Sequence, residues 1–495
     1  MTETAANPLL EGLERRRTPD PCTFVIFGAS GDLTSRKLFP ALYALASRDL
    51  LPERFAVLGT ARTEQSDEKF RAAMEEAVKE HGRDEFRQDV WDRLAEGVRY
   101  VRTEFAEKGD EDLVVAALNE LDRERGTEGN RLYYLAVPPV AIGTLIEEIG
   151  ERRSTEGWTR LVVEKPFGRD RESARELNAE LARWFREEEV FRIDHYLGKE
   201  TVQNLLALRF ANGIFEPLWN RTLVDNVRIT VAESLGIEGR AAFYEQAGAL
   251  RDVFQNHLLQ LVALTAMEPP IDFDADAVRN EKAKVLRAAE IDDVVRGQYT
   301  RGYVEGEEVP GYREEEGVSA DSTTDTFVAA KIRIDNWRWA GTPFYVRVGK
   351  RLPRRETTIV TEFQRAPHSL FVEEDGLRPN VLSIHVQPDE GVSLAIGAKV
   401  PGQGMTIRTV NMDFLYGGAF RTGIPEAYER LILDAMRGDA TLFMRADEVD
   451  EQWRLADSVV ERCGDVRPSD YAAGAWGPEE ADELLRRDGR DWGRQ

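Results

Sequence analysis

The chain has few of the cysteines and none of the long apolar runs that disulfide scaffolds, zinc sites and membrane spans require. Its 495 residues include 2 cysteines, Cys22 and Cys463, which are too few and too isolated for a disulfide framework or a zinc site. There is no run of about 20 apolar residues, as a membrane-spanning helix needs, and the first residues show no secretory signal pattern. These absences predict a cytoplasmic protein with reduced thiols, no resident metal and no membrane partner.

Lysine is also scarce, and positive charge is outweighed by negative charge. Only 11 of the 66 basic residues are lysine, and the formal net charge is −24. This charge argues against nucleic-acid binding, which needs clustered Lys and Arg. Adaptation to high salt and a biased base composition of the genome explain the excess of acidic residues and the scarcity of lysine equally well. An anionic ligand can bind such a chain only where a few basic residues dominate the local field.

The first part of the chain alternates short apolar runs with amphipathic segments. From Cys22 to about Gly198, helical spacing is found in segments such as Asp67–His81 and Glu111–Arg125. Strands that alternate with helices are typical of βαβ units around a parallel sheet. The predicted strands are Thr23–Phe27, Phe55–Gly59, Leu132–Val137, Leu161–Glu164 and Val190–Ile193.

After about Glu200, period-2 segments follow one another with short gaps, which predicts an antiparallel meander. These segments are Asn226–Glu233, Phe327–Ile334, Phe344–Val348, Thr357–Phe363, Val381–Gln387 and Val392–Ala398, followed by helices over Pro425–Met436 and Asp447–Cys463. We therefore predict an α/β Rossmann-like domain over residues 22–199 and an α+β domain with a large, mostly antiparallel sheet over residues 200–477. The polar ends, residues 1–21 and 478–495, are predicted to be loosely held tails.

A small-residue turn follows the first predicted strand. The turn consists of Gly28, Ala29, Ser30, Gly31, Asp32 and Leu33, and a helical stretch begins at about Ser35. Backbone N–H groups at such a helix N-terminus can bind a pyrophosphate. The spacing is G-x-x-G instead of the common G-x-G-x-x-G, so a merely tight connection is the alternative. Its place in an alternating βα series favours a dinucleotide site.

The end of the second strand bears on the choice of dinucleotide. In Rossmann domains an acid at this place selects NAD, whereas an Arg admits the 2′-phosphate of NADP. Arg62 occupies the place, and no acid precedes it in Gly59-Thr60-Ala61. A surface arginine is the alternative in this Arg-rich chain. The sequence favours NADP, with NAD as a possible secondary cofactor.

The segment that follows the last predicted strand concentrates charged and polar groups. Asp194, His195 and Lys199 come directly after an apolar run, at a strand end where open α/β sheets bind ligands. A buried structural His–Asp pair is the alternative, but an unpaired Lys is rarely buried.

The segment from Arg192 to Glu200 resembles the active-site signature of the glucose-6-phosphate 1-dehydrogenase family. Four further motifs match in family order between about Cys22 and Tyr471: Gly28–Leu33, Glu164-Lys165-Pro166-Phe167-Gly168, Asp252-Val253-Phe254-Gln255-Asn256-His257 and Val348-Gly349-Lys350-Arg351-Leu352. The resemblance implies oxidation of glucose 6-phosphate at C1 to the 1,5-lactone with reduction of NADP, the first step of the oxidative pentose phosphate pathway. It also implies a homodimer or homotetramer formed through the large sheet.

The resemblance implies a role for each matching residue. His257 is similar to the proton acceptor and Asp194 to the carboxylate that orients it. The residues similar to sugar-phosphate contacts are His195, Tyr196, Lys199, Lys350 and Arg355, with Glu233 and Asp252 as acceptors for glucose hydroxyls. Tyr134 resembles a cofactor contact, and Lys165 a contact of both cofactor and substrate. Two positions depart from the pattern: Ser35 stands where members often carry Lys, so Arg36 or Lys37 could serve the phosphates, and Arg354 could replace Arg355.

The chemistry is consistent with these roles. An imidazole with a pKa of about 6.5 suits removal of the C1 hydroxyl proton near neutrality, and a carboxylate on its other nitrogen would fix the tautomer. On an α-helix, however, Asp252 and His257 would lie about 140° apart. From the residues alone, a core histidine among Val253, Leu258 and Leu261 is a slightly better interpretation of His257 than a catalytic base.

Two other functions compete with this interpretation. One is a sugar or inositol oxidoreductase of the broader group that carries Glu-Lys-Pro, although a neutral sugar needs no cation such as Lys199. The other is a catalytically silent NADP sensor, against which the joint presence of Asp194, Lys165 and His257 argues.

Overall fold

A computed structural model describes residues 18–104, 110–368, 378–402, 405–415, 425–464 and 466–493. The predicted N-terminal tail lies outside these residues from position 1 to position 17. The chain forms two compact units. The first comprises Met1–Lys165, Ala179–Ile193 and Tyr428–Leu442, and the second comprises Pro166–Asn178, Asp194–Ala427 and Phe443–Gln495. No helix in the described ranges is both long enough and apolar enough to cross a membrane.

The first unit contains a six-stranded parallel sheet, as the alternating pattern predicts. The strands are β1 (Cys22–Phe27), β2 (Phe55–Ala61), β3 (Val98–Arg102), β4 (Arg131–Leu135), β5 (Thr159–Val163) and β6 (Val190–Arg192), in the order β3-β2-β1-β4-β5-β6. This order is that of a Rossmann sheet. Strand β3 is not predicted from the sequence, because Arg99 interrupts the apolar run that marks the other strands and Arg102 ends it.

The second unit contains a nine-stranded mixed sheet and a separate hairpin. The strands of the nine-stranded sheet are β7 (Val224–Ala232), β8 (Ala289–Thr300), β11 (Phe327–Ile334), β12 (Phe344–Gly349), β13 (Glu356–Phe363), β14 (Val381–Gln387), β15 (Gly391–Lys399), β16 (Ile407–Leu415) and β17 (Ser469–Ala472), and the hairpin consists of β9 (Gly302–Val304) and β10 (Glu307–Val309). The order in the sheet is β16-β15-β14-β13-β7-β12-β11-β8-β17. Strand β12 runs parallel to β7, and β17 runs parallel to β8. The other neighbouring pairs are antiparallel.

The helices agree with the predicted ones where the apolar period is long and regular. Asp67–His81 has the predicted bounds, and the Ser66 side chain caps it by accepting a hydrogen bond from the Lys69 N–H at 3.3 Å. The α-helices are Phe39–Ser47, Asp67–His81, Gln88–Ala95, Asp110–Arg125, Pro139–Glu151, Arg171–Trp184, Glu200–Phe210, Ala241–Ala249, Leu259–Ala266, Ala275–Ala288, Ala427–Arg437, Ala446–Cys463 and Glu479–Arg486.

Tyr428–Leu442, late in the chain, belongs to the first unit. The Tyr428 hydroxyl donates to the Glu164 carboxylate at 3.1 Å, and the Glu429 carboxylate pairs with Arg48 at 2.5 Å. The Arg160 guanidinium donates to the Ala435 carbonyl near the end of the helix Ala427–Arg437, at 3.3 Å. Polar contacts therefore fix this helix to the parallel sheet.

The expectation of a loosely held C-terminal tail is wrong for the described residues. Glu479–Arg486 is a helix that buries Leu484 and Leu485, and Trp492 is buried in the same core. Arg347 lies between the rings of Trp476 and Trp492, at 4.7 and 4.2 Å, and its burial lowers the pKa of its guanidinium to about 9. A few apolar residues at helical spacing are therefore enough to hold this otherwise charged segment against the core.

Candidate active site

The predicted phosphate turn lies between β1 and a helical segment. Gly28 has φ +89°, and a Cβ there would lie 2.1 Å from the Ala136 carbonyl oxygen, so only glycine fits. The Gly31 N–H donates to the Gly28 carbonyl at 2.9 Å, which closes the turn. The chain then winds as a π-helix over Thr34–Leu38 before the α-helix Phe39–Ser47 begins.

This turn forms one wall of a cleft of about 500 Å³ in the first unit. Of the predicted cofactor residues, Gly28, Ser30, Gly31 and Arg62 line it. Ala29 is buried behind the turn, and Asp32 and Leu33 are at least partly exposed beside it. The remaining lining residues are Ala61, Thr63, Glu104, Ala136, Val137, Pro138, Val140, Ala141 and Thr144.

The cleft carries both signs of charge near the end of β2. Arg62 is exposed at the end of β2, and its carbonyl accepts a hydrogen bond from Arg102 Nε at 3.1 Å. Glu104, which forms an ion pair with Arg102, also lines the cleft. Glu104 is not predicted to line the cleft, because the preceding strand β3 cannot be recognised from the sequence.

Tyr134 and Lys165 lie at neighbouring strands of the first unit. Tyr134 is fully buried on β4, and its hydroxyl donates to the Glu164 carboxylate at 2.5 Å. Tyr134 is not among the cleft-lining residues. Removal from water raises the pKa of Glu164, and the neighbouring Lys165 ammonium lowers it by less. The Tyr134 and Tyr428 hydroxyls therefore both donate to one oxygen of a partly buried carboxylate directly before Lys165.

The second unit brings Asp194 and His257 together, although 62 residues separate them in sequence. His257 Nδ1 lies 2.5 Å from Asp194 Oδ1, and both side chains are buried. The same carboxylate oxygen accepts the Tyr196 N–H at 2.9 Å, so the turn after β6 fixes the carboxylate. This geometry gives His257 an ionic partner, unlike a core histidine.

The helix that carries His257 differs from the predicted one. Leu250–Leu258 winds as a π-helix, with bonds from residue i to i+5. Residues five apart are therefore near neighbours, and the expected separation of about 140° between Asp252 and His257, which assumed α-helical winding, is wrong. Asp252 and His257 lie on the same side of this helix.

Two aromatic rings lie against His257 of the Asp194–His257 dyad. Tyr196 stacks on His257 with centroids 4.4 Å apart and planes 20° apart, and His195 meets His257 edge-on at 4.5 Å. Ligand atoms of Asp194, His195 and His257 all lie within 4.8 Å of one another. However, two ligands of a tetrahedral zinc, each about 2.0–2.1 Å from the metal, are roughly 3.3 Å apart. The 2.5 Å contact between Asp194 and His257 fits a hydrogen bond better.

Two cations converge on one amide beside the rings. Lys199 Nζ donates to Gln387 Oε1 at 2.6 Å, and Arg355 Nη2 donates to the same oxygen at 3.1 Å. The Gln387 amide nitrogen donates to Thr357 Oγ1 at 2.8 Å. Gln387 was not recognised in the sequence, because it ends a strand far from both cations. Arg354, the alternative to Arg355, instead pairs with Glu356 at 2.8 Å.

A second polar pair follows two parallel strands. Glu233 comes directly after β7 and Lys350 directly after β12, and Ala232 is the register partner of Gly349. The Lys350 ammonium accordingly forms an ion pair with Glu233, and lies 5.3 Å from the Tyr244 ring centroid. Burial and then the nearby Asp252 carboxylate raise the pKa of Tyr244.

Comparisons with known proteins agree with this arrangement. Residues 25–204 match the family described as "Glucose-6-phosphate dehydrogenase, NAD binding domain", and residues 206–493 match "Glucose-6-phosphate dehydrogenase, C-terminal domain". The chain is 50% identical to "Glucose-6-phosphate 1-dehydrogenase 2" of Mycobacterium tuberculosis over 99% of this chain and 98% of the relative. It is 42% identical to the Bacillus subtilis "Glucose-6-phosphate 1-dehydrogenase" over 94% and 97%.

Solved structures give the same result. "Glucose-6-phosphate dehydrogenase in complex with its substrate glucose-6-phosphate" is similar with a TM-score of 0.89 and 36% identity, over 97% of this chain and 99% of the other. The enzyme from Mycobacterium avium is similar with a TM-score of 0.81 and 37% identity, over 96% and 99%. Both halves of the sequence and the two folded sheets thus lead to one assignment: the chain belongs to the glucose-6-phosphate dehydrogenase family.

Proposed function

We propose that this chain oxidises D-glucose 6-phosphate at C1 to 6-phospho-D-glucono-1,5-lactone and reduces NADP. The observation that carries the proposal is the buried Asp194–His257 pair, with its 2.5 Å contact, in the unit that also holds Lys199 and Arg355. A base for the C1 hydroxyl and cations for the 6-phosphate are the two requirements of this substrate. Family membership agrees with both.

In the proposed reaction, His257 accepts the C1 hydroxyl proton as the C1 hydride leaves. The electron pair of the broken O–H bond forms the lactone C=O bond, and the hydride leaves with the electron pair of the broken C1–H bond. NADP, when bound, would supply the acceptor for this hydride. Asp194 holds Nδ1 and stabilises the imidazolium that forms. The stacked Tyr196 ring keeps the imidazole plane fixed and excludes water from one face.

The cations beside the dyad hold the phosphate in this proposal. Lys199 and Arg355 both point at the Gln387 amide oxygen, where an anion with several oxygens would be a stronger partner than a neutral amide. Tyr196 borders the same place, because its hydroxyl accepts from the Gln387 amide nitrogen at 3.3 Å, and the His195 ring lies 5.1 Å from the Tyr196 ring. Lys199 also lies 5.0 Å from the Tyr196 ring centroid, which restricts its position.

Polar residues after β7 and β12 and on the helix Leu250–Leu258 suit the sugar hydroxyls. Glu233 and Asp252 supply carboxylate acceptors, and Lys350 supplies a donor that is already paired with Glu233. We assign Lys165, which follows β5, to contacts with both cofactor and substrate. Tyr134 would act on the cofactor through the Glu164–Lys165 segment, because its own hydroxyl is bonded to Glu164.

The cleft at Gly28–Leu33 is proposed to hold the dinucleotide, with Arg62 binding the 2′-phosphate. The Ser35 hydroxyl donates to the Asp32 carbonyl at 3.2 Å. Either Arg36 or Lys37 would serve the phosphates in place of the lysine that family members often carry at position 35. The Glu104 carboxylate in the same cleft opposes the charge of a 2′-phosphate. That opposition supports NAD as a secondary cofactor.

The two competing functions fit less well. A dehydrogenase for neutral sugars has no use for a cation pair that converges on one point beside the base. A silent NADP sensor has no use for a buried Asp–His pair, because burying charged groups costs free energy. We also propose that the protein acts in the cytoplasm, where the free thiols Cys22 and Cys463 stay reduced.

The test is an absorbance assay of NADPH formation with purified protein. We expect turnover with glucose 6-phosphate and NADP, and a much lower kcat/KM with glucose, because glucose lacks the group that the cations bind. NAD should support a lower rate than NADP. Equal kcat/KM for glucose and glucose 6-phosphate would favour the neutral-sugar dehydrogenase, and no turnover with either would favour the sensor.

A further inference from the structure

We propose that Tyr471 and Thr326 are positioning residues that fix Lys350 in the sugar site. The proposal rests on the proposed function, since it takes Lys350 as a substrate contact. Both residues act through the backbone of Lys350 and are separate from the Asp194–His257 pair. Neither residue belongs to the motifs through which the sequence resembles its family.

The pair satisfies both backbone polar groups of Lys350. The Lys350 N–H donates to the Thr326 carbonyl at 2.9 Å, and the Lys350 carbonyl accepts from the Tyr471 hydroxyl at 2.7 Å. The two partners also contact each other, with Thr326 Oγ1 lying 3.1 Å from the Tyr471 hydroxyl. The backbone N–H and C=O of this one residue are thus held by two residues that are hydrogen-bonded to each other.

The hydroxyls form a directed chain of hydrogen bonds. The Tyr299 N–H donates to Thr326 Oγ1 at 2.9 Å, so this hydroxyl has its own proton left for the Tyr471 oxygen. The Tyr471 proton then goes to the Lys350 carbonyl. Successive donors in such a chain polarise one another and strengthen each bond. All its members are buried, so water cannot replace a missing hydroxyl without a cost. Burial also raises the pKa of Tyr471, which keeps it a donor.

The local backbone explains why Lys350 needs this support. Strand β12 ends at Gly349, and Arg351 has φ +51°, in the left-handed region that non-glycine residues seldom adopt. Lys350 therefore stands between a strand end and a strained residue. Its ammonium must still reach Glu233 and the Tyr244 ring. A small rotation of the Lys350 backbone would move its ammonium away from Glu233 and from the Tyr244 ring.

The topology of the C-terminal strand gives Tyr471 its place. Strand β17 pairs in parallel with β8, and Tyr471 is the register partner of Tyr299. The last strand of the sheet thereby supplies a hydroxyl to the backbone at the end of β12. The ordered C-terminal segment accordingly contributes to the site as well as to the core.

The first test compares Tyr471→Phe with Tyr299→Phe. Both variants remove one buried tyrosine hydroxyl from the same core, with ring centroids 6.4 Å apart, but the Tyr299 hydroxyl donates to Glu315 at 2.9 Å instead of to Lys350. We expect Tyr471→Phe to raise KM for glucose 6-phosphate about 5- to 20-fold, the equivalent of one buried hydrogen bond. Its kcat should change less, because His257 is untouched. Tyr299→Phe should leave both constants within about twofold.

A double-mutant cycle with Lys350→Met tests whether the effect passes through Lys350. If Tyr471 acts by positioning this side chain, Tyr471→Phe should add almost nothing to the KM of the Lys350→Met enzyme. Thr326→Val should behave like Tyr471→Phe, whereas Thr326→Ser, which keeps the hydroxyl, should recover most of the affinity.

Three results would overturn the inference. They are equal KM changes in Tyr471→Phe and Tyr299→Phe, the same Tyr471→Phe effect with and without Lys350, and an unchanged KM in Lys350→Met itself. In each case the wild-type enzyme would still turn over glucose 6-phosphate, so the proposed function would stand. Thermal unfolding midpoints of the two Phe variants should be similar, which separates positioning from general destabilisation.

Discussion

At the scale of single residues, the Asp194–His257 contact decides which imidazole nitrogen is available for chemistry. Because Nδ1 faces the carboxylate at 2.5 Å, the proton of neutral His257 is assigned to Nδ1 and its Nε2 is left as the acceptor. The Tyr196 N–H on the same carboxylate oxygen keeps the carboxylate in place when His257 becomes charged. His195 lies edge-on to His257 and to Tyr196, a position at the side of the pair that suits ligand binding.

The first prediction concerns the base. His257→Asn should lower kcat by about 10²–10⁴-fold, the usual range for loss of a general base, while KM for glucose 6-phosphate moves little because other residues hold the phosphate. Asp194→Asn should do less damage, since the imidazole remains and loses only its orienting charge. Steady-state rates measured across pH provide the readout.

In the wild-type enzyme, kcat should fall towards acid pH, because a protonated imidazole cannot accept the C1 hydroxyl proton. That acid limb should be absent in His257→Asn. If the variant keeps substantial activity with the same acid limb, another group takes the proton, and His195 would be the first residue to examine.

The second prediction concerns cofactor choice. Arg62→Ala should raise KM for NADP about 10-fold or more and change KM for NAD much less, because a charge-assisted contact of about 1.5–3 kcal/mol is lost. Arg54→Ala is the matched control: Arg54 also flanks β2, but at its other end, where it pairs with Glu128 at 2.5 Å. An equal loss for both nucleotides in Arg62→Ala would contradict recognition of the 2′-phosphate by Arg62.

At the scale of elements, the sequence is informative where one pattern persists over many residues. The bounds of Asp67–His81, Phe327–Ile334 and Val381–Gln387 are predicted correctly, because their apolar period is regular. Strand β3 is not predicted, because an arginine interrupts its apolar run. The π-helical winding of Leu250–Leu258 is not predicted either, because the spacing of its apolar residues does not differ visibly from that of an α-helix. The parallel place of β12 beside β7 also depends on long-range pairing that no local pattern records.

The same limit applies to the candidate site. Residues that are neighbours in sequence, such as Asp194, His195 and Lys199, could be grouped from the sequence alone. Gln387 and Glu104 could not, since each reaches its place through strand pairing far along the chain. Even the link between Asp194 and His257 came only from the resemblance. The structure supplies the distance between them.

The third prediction concerns the helix Ala427–Arg437, which belongs to the first unit apart from its first residue. Burial raises the pKa of Asp434 to about 6, although Arg430 donates to it at 2.7 Å. An unfolded aspartate has a pKa of about 3.9, so the folded protein binds the proton more tightly. The resulting stability is fully present below about pH 4 and is lost as pH rises through about 6.

Asp434→Asn should therefore stabilise the protein relative to wild type more at pH 7 than at pH 5, by at most about 3 kcal/mol. Thermal unfolding midpoints of both proteins at the two pH values give the measurement. Asp92→Asn, at an exposed position of the helix Gln88–Ala95 in the same unit, is the control for loss of a carboxylate. A larger gain for Asp434→Asn at pH 5 than at pH 7 would contradict the sign.

At the scale of the whole molecule, the charge balance constrains how substrates arrive. The net charge of −24 opposes the approach of glucose 6-phosphate and NADP, both of which are anions. Lys199, Arg355 and Lys350 must therefore act over short distances, within a Debye length of about 8–10 Å at moderate salt. Lysine is scarce in this chain, yet three of its 11 lysines, Lys165, Lys199 and Lys350, fall in the predicted site.

The last prediction concerns self-association, which we propose from the outer part of the nine-stranded sheet. On β16, Val410, Met412 and Phe414 alternate along one face and are 40–60% exposed. A row of apolar side chains on the outermost described strand of a sheet is typical of a surface that another chain covers. We therefore expect the protein in solution to have a mass that is a multiple of 56.0 kDa.

Met412→Asp should shift the protein towards the monomer, because a carboxylate would be buried without a partner in the covered face. Thr409→Asp adds the same charge to the same strand, on the opposite face, and should leave the mass unchanged. Light scattering coupled to size-exclusion chromatography measures both. A wild-type monomer at micromolar concentration would rule out the association, and an unchanged mass in Met412→Asp would move it to another surface. A shift in both variants would mean that added charge on β16, and not the apolar row, controls assembly.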